Sequence, residues 1–451
     1  MDKKEKSLEE VAGEFDETIV EFNPEKNEEY EKLRQIAVNI IDCFDWQPNK
    51  EGFLVVTDTR VIQENPLMLR AIEYELKKRK DIADKEKIGG GASCHRVMVA
   101  PFSSKSATPF GETIGEALRN QPVLIITAMP RSHSKETGSA IRGDSKISQK
   151  YINELLNSEN IETLIKNGFS GLNLERLVGE DGKMSEKIWQ KFQELVKKNR
   201  VRLISITKGH NPFEILTKGA VFESVEKIRE RADKVQELMK DVKRVHITSP
   251  LGTNLWLNIR PDLTEVEDGR VDKPGKLSNY PVGEWACSPD WSGSDGVMIV
   301  DGPCGGNINQ HIIDRGDPLR LIIKNGEIID IQGGEEAETL LKAYLDSGNN
   351  DKNHAYKLAE LGIGINAKAL EGKPRECWGS TEGEKKYGTV HVAVGSNGSM
   401  GRKKDDQFFN AAEVHCDMVL GLNIGGEATV ECERGDGSTF ILIKNGQPVG
   451  Y

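Results

Sequence analysis

The chain has 451 residues, 37% of them hydrophobic and 29% charged, with 45 Gly and a net charge of −11. That length exceeds the roughly 250–300 residues at which a single hydrophobic core stops growing, so two domains are expected. The acidic balance argues against nucleic acid or an anionic membrane surface as partner, and no apolar run approaches the roughly 18 residues of a membrane span.

The N-terminal "MDKKEKSLEEVAGEFDETIVEF" is charged and lacks the apolar region of a signal peptide, which predicts a cytoplasmic protein. Past residue 25, helices and strands alternate. "EKLRQIAVNIIDCF" carries Leu33, Ile36, Ala37, Ile40 and Ile41 at helical spacing. "GFLVVTDT" (52–59) is a short apolar strand, and "NPLMLRAIEYELKKRK" opens a helix with Asn65 as N-cap and Pro66 at its first position. "HRVMVAP" and "PVLIITAM" read as buried strands with the helix "GETIGEALRNQ" between them, followed by the helix "SEKIWQKFQELVKKNR" and the strand "VRLISITK". Continuous apolar strands alternating with helices predict an α/β N-terminal domain, a largely parallel sheet with helices on both faces. The helix over 222–242 closes this half, and the boundary falls at 243/244.

Beyond it the texture changes to an α+β C-terminal domain, 244–451, with antiparallel hairpins. "LIIKNGEIIDI" (321–331) and "ILIKNGQPV" (441–449) are each centred on Asn-Gly, the strongest short hairpin signal. In "AAEVHCDMVLGL" (411–422), His415 and Asp417 stand two apart in an apolar strand and therefore project together, with Cys416 facing the core. A buried Asp needs an ion partner or a metal.

Three further residues have metal-ligand chemistry: Glu284 in "NYPVGEWACSP", Glu360 in "AYKLAELGIGIN" and His391 in "GTVHVAVG". The pattern around Glu360 predicts a short helix ending there, with Gly362 terminating it, so that a cation would relieve the carboxylate at the negative end of the helix dipole. Ala393 and Gly395 share the face of His391 and leave room beside it. Three carboxylates and two neutral imidazoles sum to −3, so two divalent ions leave +1, a charge suited to binding hydroxide and polarising a carbonyl. Oxygen and nitrogen ligands without thiolate suit zinc, cobalt or manganese. The seven cysteines stand singly, without a C-x-x-C pair, and are expected to be reduced thiols.

The segments "VHITSPLGTNLWLNI", "NYPVGEWACSP", "ELGIGIN", "GTVHVAVG" and "VHCDMVLGLN" come in an order that resembles the thermophilic metalloaminopeptidase family, which includes aminopeptidases T and S. The resemblance implies that Glu284, Glu360, His391, His415 and Asp417 are ligands of a two-metal site, with Glu360 as the bridge and Glu284 and Glu360 serving catalysis. It implies removal of N-terminal residues from small peptides or aminoacyl amides, a homodimer, and a cavity where the first domain covers the second. The chain departs from the family at Gly398, where a Tyr is usual seven residues after the His. Tyr387 and Arg402 are the candidate substitutes for its hydrogen bond, and Glu413 is a candidate general base.

A related oxygenase supplies the alternative. Ring-opening dioxygenases of hydroxylated pyridines resemble this scaffold and hold one iron by two His and an Asp. His391, His415 and Asp417 would form that triad, leaving Glu284 and Glu360 as surplus charge. A non-catalytic metal-binding relative is the third reading.

Overall fold

The structure is a computed structural model. It describes residues 22–46, 52–58, 66–85, 95–100, 123–128 and 202–205, and residues 218–451 apart from 274–275, 306–317, 350–353, 376–377, 413 and 423–425. The helices expected at 111–121 and 185–200, the N-cap Asn65 and the candidate base Glu413 lie outside the described residues.

The chain divides into two compact units: Met1–Met184, Lys191–Thr217 and Gly269–Tyr280 form one, and Ser185–Gln190, Lys218–Asp268 and Pro281–Tyr451 the other. This moves the expected boundary from 243/244 back to 217/218. The reason is the helix Val225–Met239, capped by the Ser224 side chain on Lys227 N. Its buried face is Val225, Ile228, Ala232, Val235 and Met239. Gln236 accepts a 2.8 Å hydrogen bond from the Trp285 indole, and Met239 Sδ meets Cys432 Sγ at 3.7 Å, so the helix packs on strands of the second unit.

In the first unit, β1 (Gly52–Asp58), β2 (His95–Ala100), β3 (Val123–Ala128) and β4 (Arg202–Ser205) pair in parallel, in the order β2-β1-β3-β4. The helix Glu28–Asp42 starts at Asn27, whose side chain accepts from Glu29 N, and buries the five apolar positions read from the sequence. A helix also opens at Pro66 and runs to Lys85.

The second unit is built on an antiparallel sheet. Its strands are β5 (Val242–Thr248), β6 (Asn254–Glu267), β8 (Glu284–Val300), β9 (Leu319–Lys324), β10 (Glu327–Gln332), β11 (Leu358–Gly364), β12 (Val390–Gly395), β13 (His415–Leu420), β14 (Thr429–Arg434), β15 (Thr439–Lys444) and β16 (Gln447–Pro448). The short β7 (Leu277–Asn279) lies between β6 and β8 in the chain but belongs to the first unit, where it pairs in parallel with β4 at the edge of that sheet. The order across the second sheet is β13-β12-β11-β8-β6-β5-β14-β15-β16, with β9 and β10 joined through β8. Both Asn-Gly pairs make the expected two-residue turns, with φ of 48° and 68° at Asn325-Gly326 and 48° and 70° at Asn445-Gly446, the left-handed pair that a tight hairpin requires.

Strands β11 and β12 are buried at every position, which explains their continuous apolar character. Glu360 therefore lies within a central strand and not at a helix end, and the dipole argument does not apply to it. Among the described residues no helix is long and apolar enough to cross a membrane.

Candidate metal centre

Register brings the candidate ligands onto one face. Residues directly opposite on paired strands share a side of the sheet. Glu284 is opposite Gly364, and Ala286 opposite Gly362. Gly362 in turn faces His391, and Glu360 faces Ala393. Ala393 faces Asp417, and Gly395 faces His415. Five polar side chains from four strands thus stand on a floor of Ala and Gly. Gly362 matters most: a Cβ there would lie 1.9 Å from His391 Cε1, so only glycine leaves room for the imidazole.

The five residues form two groups that share Glu360: Glu284, Glu360 and His391, all buried, and Glu360, His415 and Asp417, in which the last two are half-buried. His391 Nε2 lies 3.0 Å from Glu284 Oε1 and 3.2 Å from Glu360 Oε1. His415 Nε2 lies 3.2 Å from Glu360 Oε2 and 3.1 Å from Asp417 Oδ1. His391 is grouped with Glu284 and Glu360 and not with His415 and Asp417, beside which Glu360, pointing in from β11, is the third candidate donor.

The two histidines differ in how they are held. The Nδ1 of His415 hydrogen-bonds the Ser396 carbonyl at 2.7 Å, which leaves Nε2 for a ligand. Metal-ligating imidazoles are nearly always anchored in this way. His391 Nδ1 is buried with no hydrogen-bond partner among the described residues. Burial opposes charge on both rings, but the facing carboxylates outweigh it and hold both well above the usual histidine range.

Two residues not singled out in the sequence complete the electrostatics. Lys385, its side chain 1% exposed, sets Nζ 2.6 Å from Glu267 Oε2, 2.8 Å from Glu284 Oε2 and 3.0 Å from Glu384 Oε1. Burial raises the Glu284 carboxyl, but Lys385 and His391 more than reverse this and hold it well below its ordinary range. Glu265 precedes Glu267 by two on β6, opposite Ala286, and so belongs to the same face. Burial, with Glu267, Glu360 and Glu284 nearby, pushes its carboxyl up to about 8. The only sequence signal for these acids is the period-2 spacing of "TEVE".

The other candidates have structural duties. Arg402 is buried and fully engaged: Nε donates to Ser288 Oγ at 2.6 Å, and NH2 to Pro289 O and Asp290 Oδ1, each at 2.7 Å. Its NH1 donates to Asp406 Oδ2 at 2.9 Å. Tyr387 donates its hydroxyl to Tyr451 O and lies under Arg231. Cys416 is buried with its Sγ 3.8 Å from Cys304 Sγ. The backbone of 302–305 runs along β13, where Gly305 N donates to Asp417 O at 2.9 Å.

Comparison with known proteins assigns the scaffold. The chain matches the family NicX, 2,5-dihydroxypyridine 5,6-dioxygenase, over residues 183–421. A 2,5-dihydroxypyridine 5,6-dioxygenase of Pseudomonas putida is 25% identical over 135 residues, which are 30% of this chain and 37% of that protein. The aligned stretch thus spans little more than a third of the relative's length. The solved structure of 2,5-dihydroxypyridine dioxygenase from Pseudomonas putida superposes with a TM-score of 0.56 at 15% identity, covering 93% of this chain and 97% of the other. Wild-type AmpT from Thermus thermophilus, an aminopeptidase T, superposes with a TM-score of 0.54 at 13% identity, covering 93% and 99%. The likeness to AmpT accounts for the resemblance in the sequence: it is one of fold. The hydrolytic aminopeptidase reading, with its protease chemistry, is overturned by the match to an oxygenase family. That match covers more than half of the chain and all four strands carrying the candidate ligands, and the chain belongs to the 2,5-dihydroxypyridine 5,6-dioxygenase family.

Proposed function

We propose that this protein is an iron-dependent dioxygenase that opens the ring of a hydroxylated, nitrogen-containing aromatic, with the metal held by Glu360, His415 and Asp417. The observation that carries the reading is the posture of His415. Its Nδ1 is anchored on Ser396 O and its Nε2 converges with Glu360 Oε2 and Asp417 Oδ1, in a group that is partly open where the other is sealed. Nitrogen and oxygen donors without thiolate suit iron(II) as they suit zinc, cobalt or manganese, and family membership favours iron. Two carboxylates and a neutral imidazole balance one divalent ion.

The surplus acids have partners. Glu284 is met by Lys385, and His391 spans Glu284 and Glu360 and fixes the orientation of the shared carboxylate. Bound iron(II) would supply the redox chemistry with dioxygen; the chain supplies the rest. Glu265, still protonated near neutral pH, is suited to exchange a proton with a substrate hydroxyl.

The test is oxygen uptake by chelator-stripped protein reloaded anaerobically with iron(II) and offered hydroxylated pyridines, 2,5-dihydroxypyridine first. Consumption of one dioxygen per ring lost, absent in Asp417→Asn, is expected. A folded, iron-loaded protein that consumes no oxygen with any of them would overturn the reading.

A further inference from the structure

The Glu284–Glu360–His391 group offers donor atoms as close together as those of the Glu360–His415–Asp417 group, and a shared carboxylate between two such groups is the layout of a two-ion site. One feature separates them. Glu284 already has a cation in contact: Lys385 Nζ meets Oε2 at 2.8 Å, on the oxygen opposite the one that faces His391.

The ammonium is built in deliberately. Gly364 stands opposite Glu284, and a Cβ at 364 would lie 2.1 Å from Lys386 O, so only glycine lets the 385–386 backbone cross the end of β11. Asn366 N then pins that backbone by donating to Lys385 O at 2.8 Å. The three carboxylates around Nζ leave the amine no route to solvent, its side chain being 1% exposed. A divalent ion entering the buried group would face this charge across a single carboxylate in a medium where water cannot screen it. His391 lacks the anchor on Nδ1 that a ligating imidazole usually has.

We propose that Lys385 is a resident cation standing where a second metal would otherwise be needed, so that the centre takes one ion per chain and the Glu284–Glu360–His391 group is a latent second site. The inference rests on metal binding at Glu360, His415 and Asp417 and not on the oxygen chemistry proposed for it.

The test counts ions. The full chain is stripped with chelator, titrated with cobalt(II) and analysed for bound metal, with circular dichroism as the check on folding. One ion is expected in the natural protein and in Lys385→Arg, and two in Lys385→Met. Two ions in the natural protein, or one in folded Lys385→Met, overturn the proposal. Should Lys385→Met not fold, Glu284→Gln decides: a count unchanged at one supports it, and loss of an ion overturns it. No bound ion in the natural protein would instead remove the metal centre on which the proposed function stands.

Discussion

Replacing Gly362 by Ala tests the site through one methyl group. The added Cβ would stand 1.9 Å from His391 Cε1, 2.1 Å from Nε2 and 2.6 Å from Nδ1. Neither side can give way easily, because β11 and β12 are buried at every position and paired on both edges. The imidazole must swing off the sheet, and its contacts to Glu284 at 3.0 Å and Glu360 at 3.2 Å go with it. Overpacking costs about 1–3 kcal/mol. Losing hydrogen bonds to charged groups costs about 1.5–3 kcal/mol. Some of each is recovered on relaxation, so a net loss of about 2–4 kcal/mol is expected, a large share of the roughly 5–15 kcal/mol that holds a domain together. Glu360 would also lose its orientation, and such supporting contacts are worth about 10–100-fold in metal affinity. Urea unfolding of the metal-free protein reads the first effect, and cobalt(II) titration the second. Gly379→Ala, where nothing lies within 4 Å of the added atom, is the control. Gly362→Ala with unchanged unfolding midpoint and unchanged metal affinity would refute the reasoning.

Asp417→Asn and His415→Ala should each abolish retained metal after dialysis, since each removes one of three donors; metal analysis checks this, and retention in both would place the ion elsewhere. Removing metal with chelator should lower the thermal midpoint, and about 2.7 kcal/mol of stability should return when free ion reaches a hundred times its dissociation constant. Glu265 has a folded value of about 8, above its unfolded one, so its contribution is fully present below the unfolded value and lost as pH rises towards 8. Metal-free Glu265→Gln should therefore gain about 1–3 kcal/mol on the natural protein between pH 5 and pH 8; equal pH profiles in urea unfolding would remove the raised carboxyl. Arg402→Ala leaves Asp290 and Asp406 without their cation and should cost about 3–5 kcal/mol, with Arg402→Lys a poor rescue because it cannot reproduce the forked contacts; wild-type stability in either variant would argue against a strut.

What the sequence determined by itself is what short-range periodicity carries. The helix face of Leu33, Ile36, Ala37, Ile40 and Ile41, the two Asn-Gly turns and the convergence of His415 with Asp417 all follow from spacings of a few residues. The candidate ligand types were legible too, because a buried acid or imidazole in an apolar strand must have a reason to be there. Fold likeness was also legible, but the chemistry was misread: motifs that place strands are shared by proteins that run different reactions on one scaffold. The helix expected to end at Glu360 failed because seven buried residues of a central strand have no alternation to betray it.

Tertiary structure alone decided which residues meet. Lys385 lies 101 positions from Glu284, and their contact depends on how β8, β11 and the start of β12 are registered. The same pairing decides that Glu360, and not His391, closes the group around His415 and Asp417, and that the Ser396 carbonyl holds one imidazole while the other has no such anchor. Strand register is set by side chains far apart in the chain, whereas a period is written in neighbours; the candidate ligand types could be read from the period, and their grouping beside Lys385 only from the register.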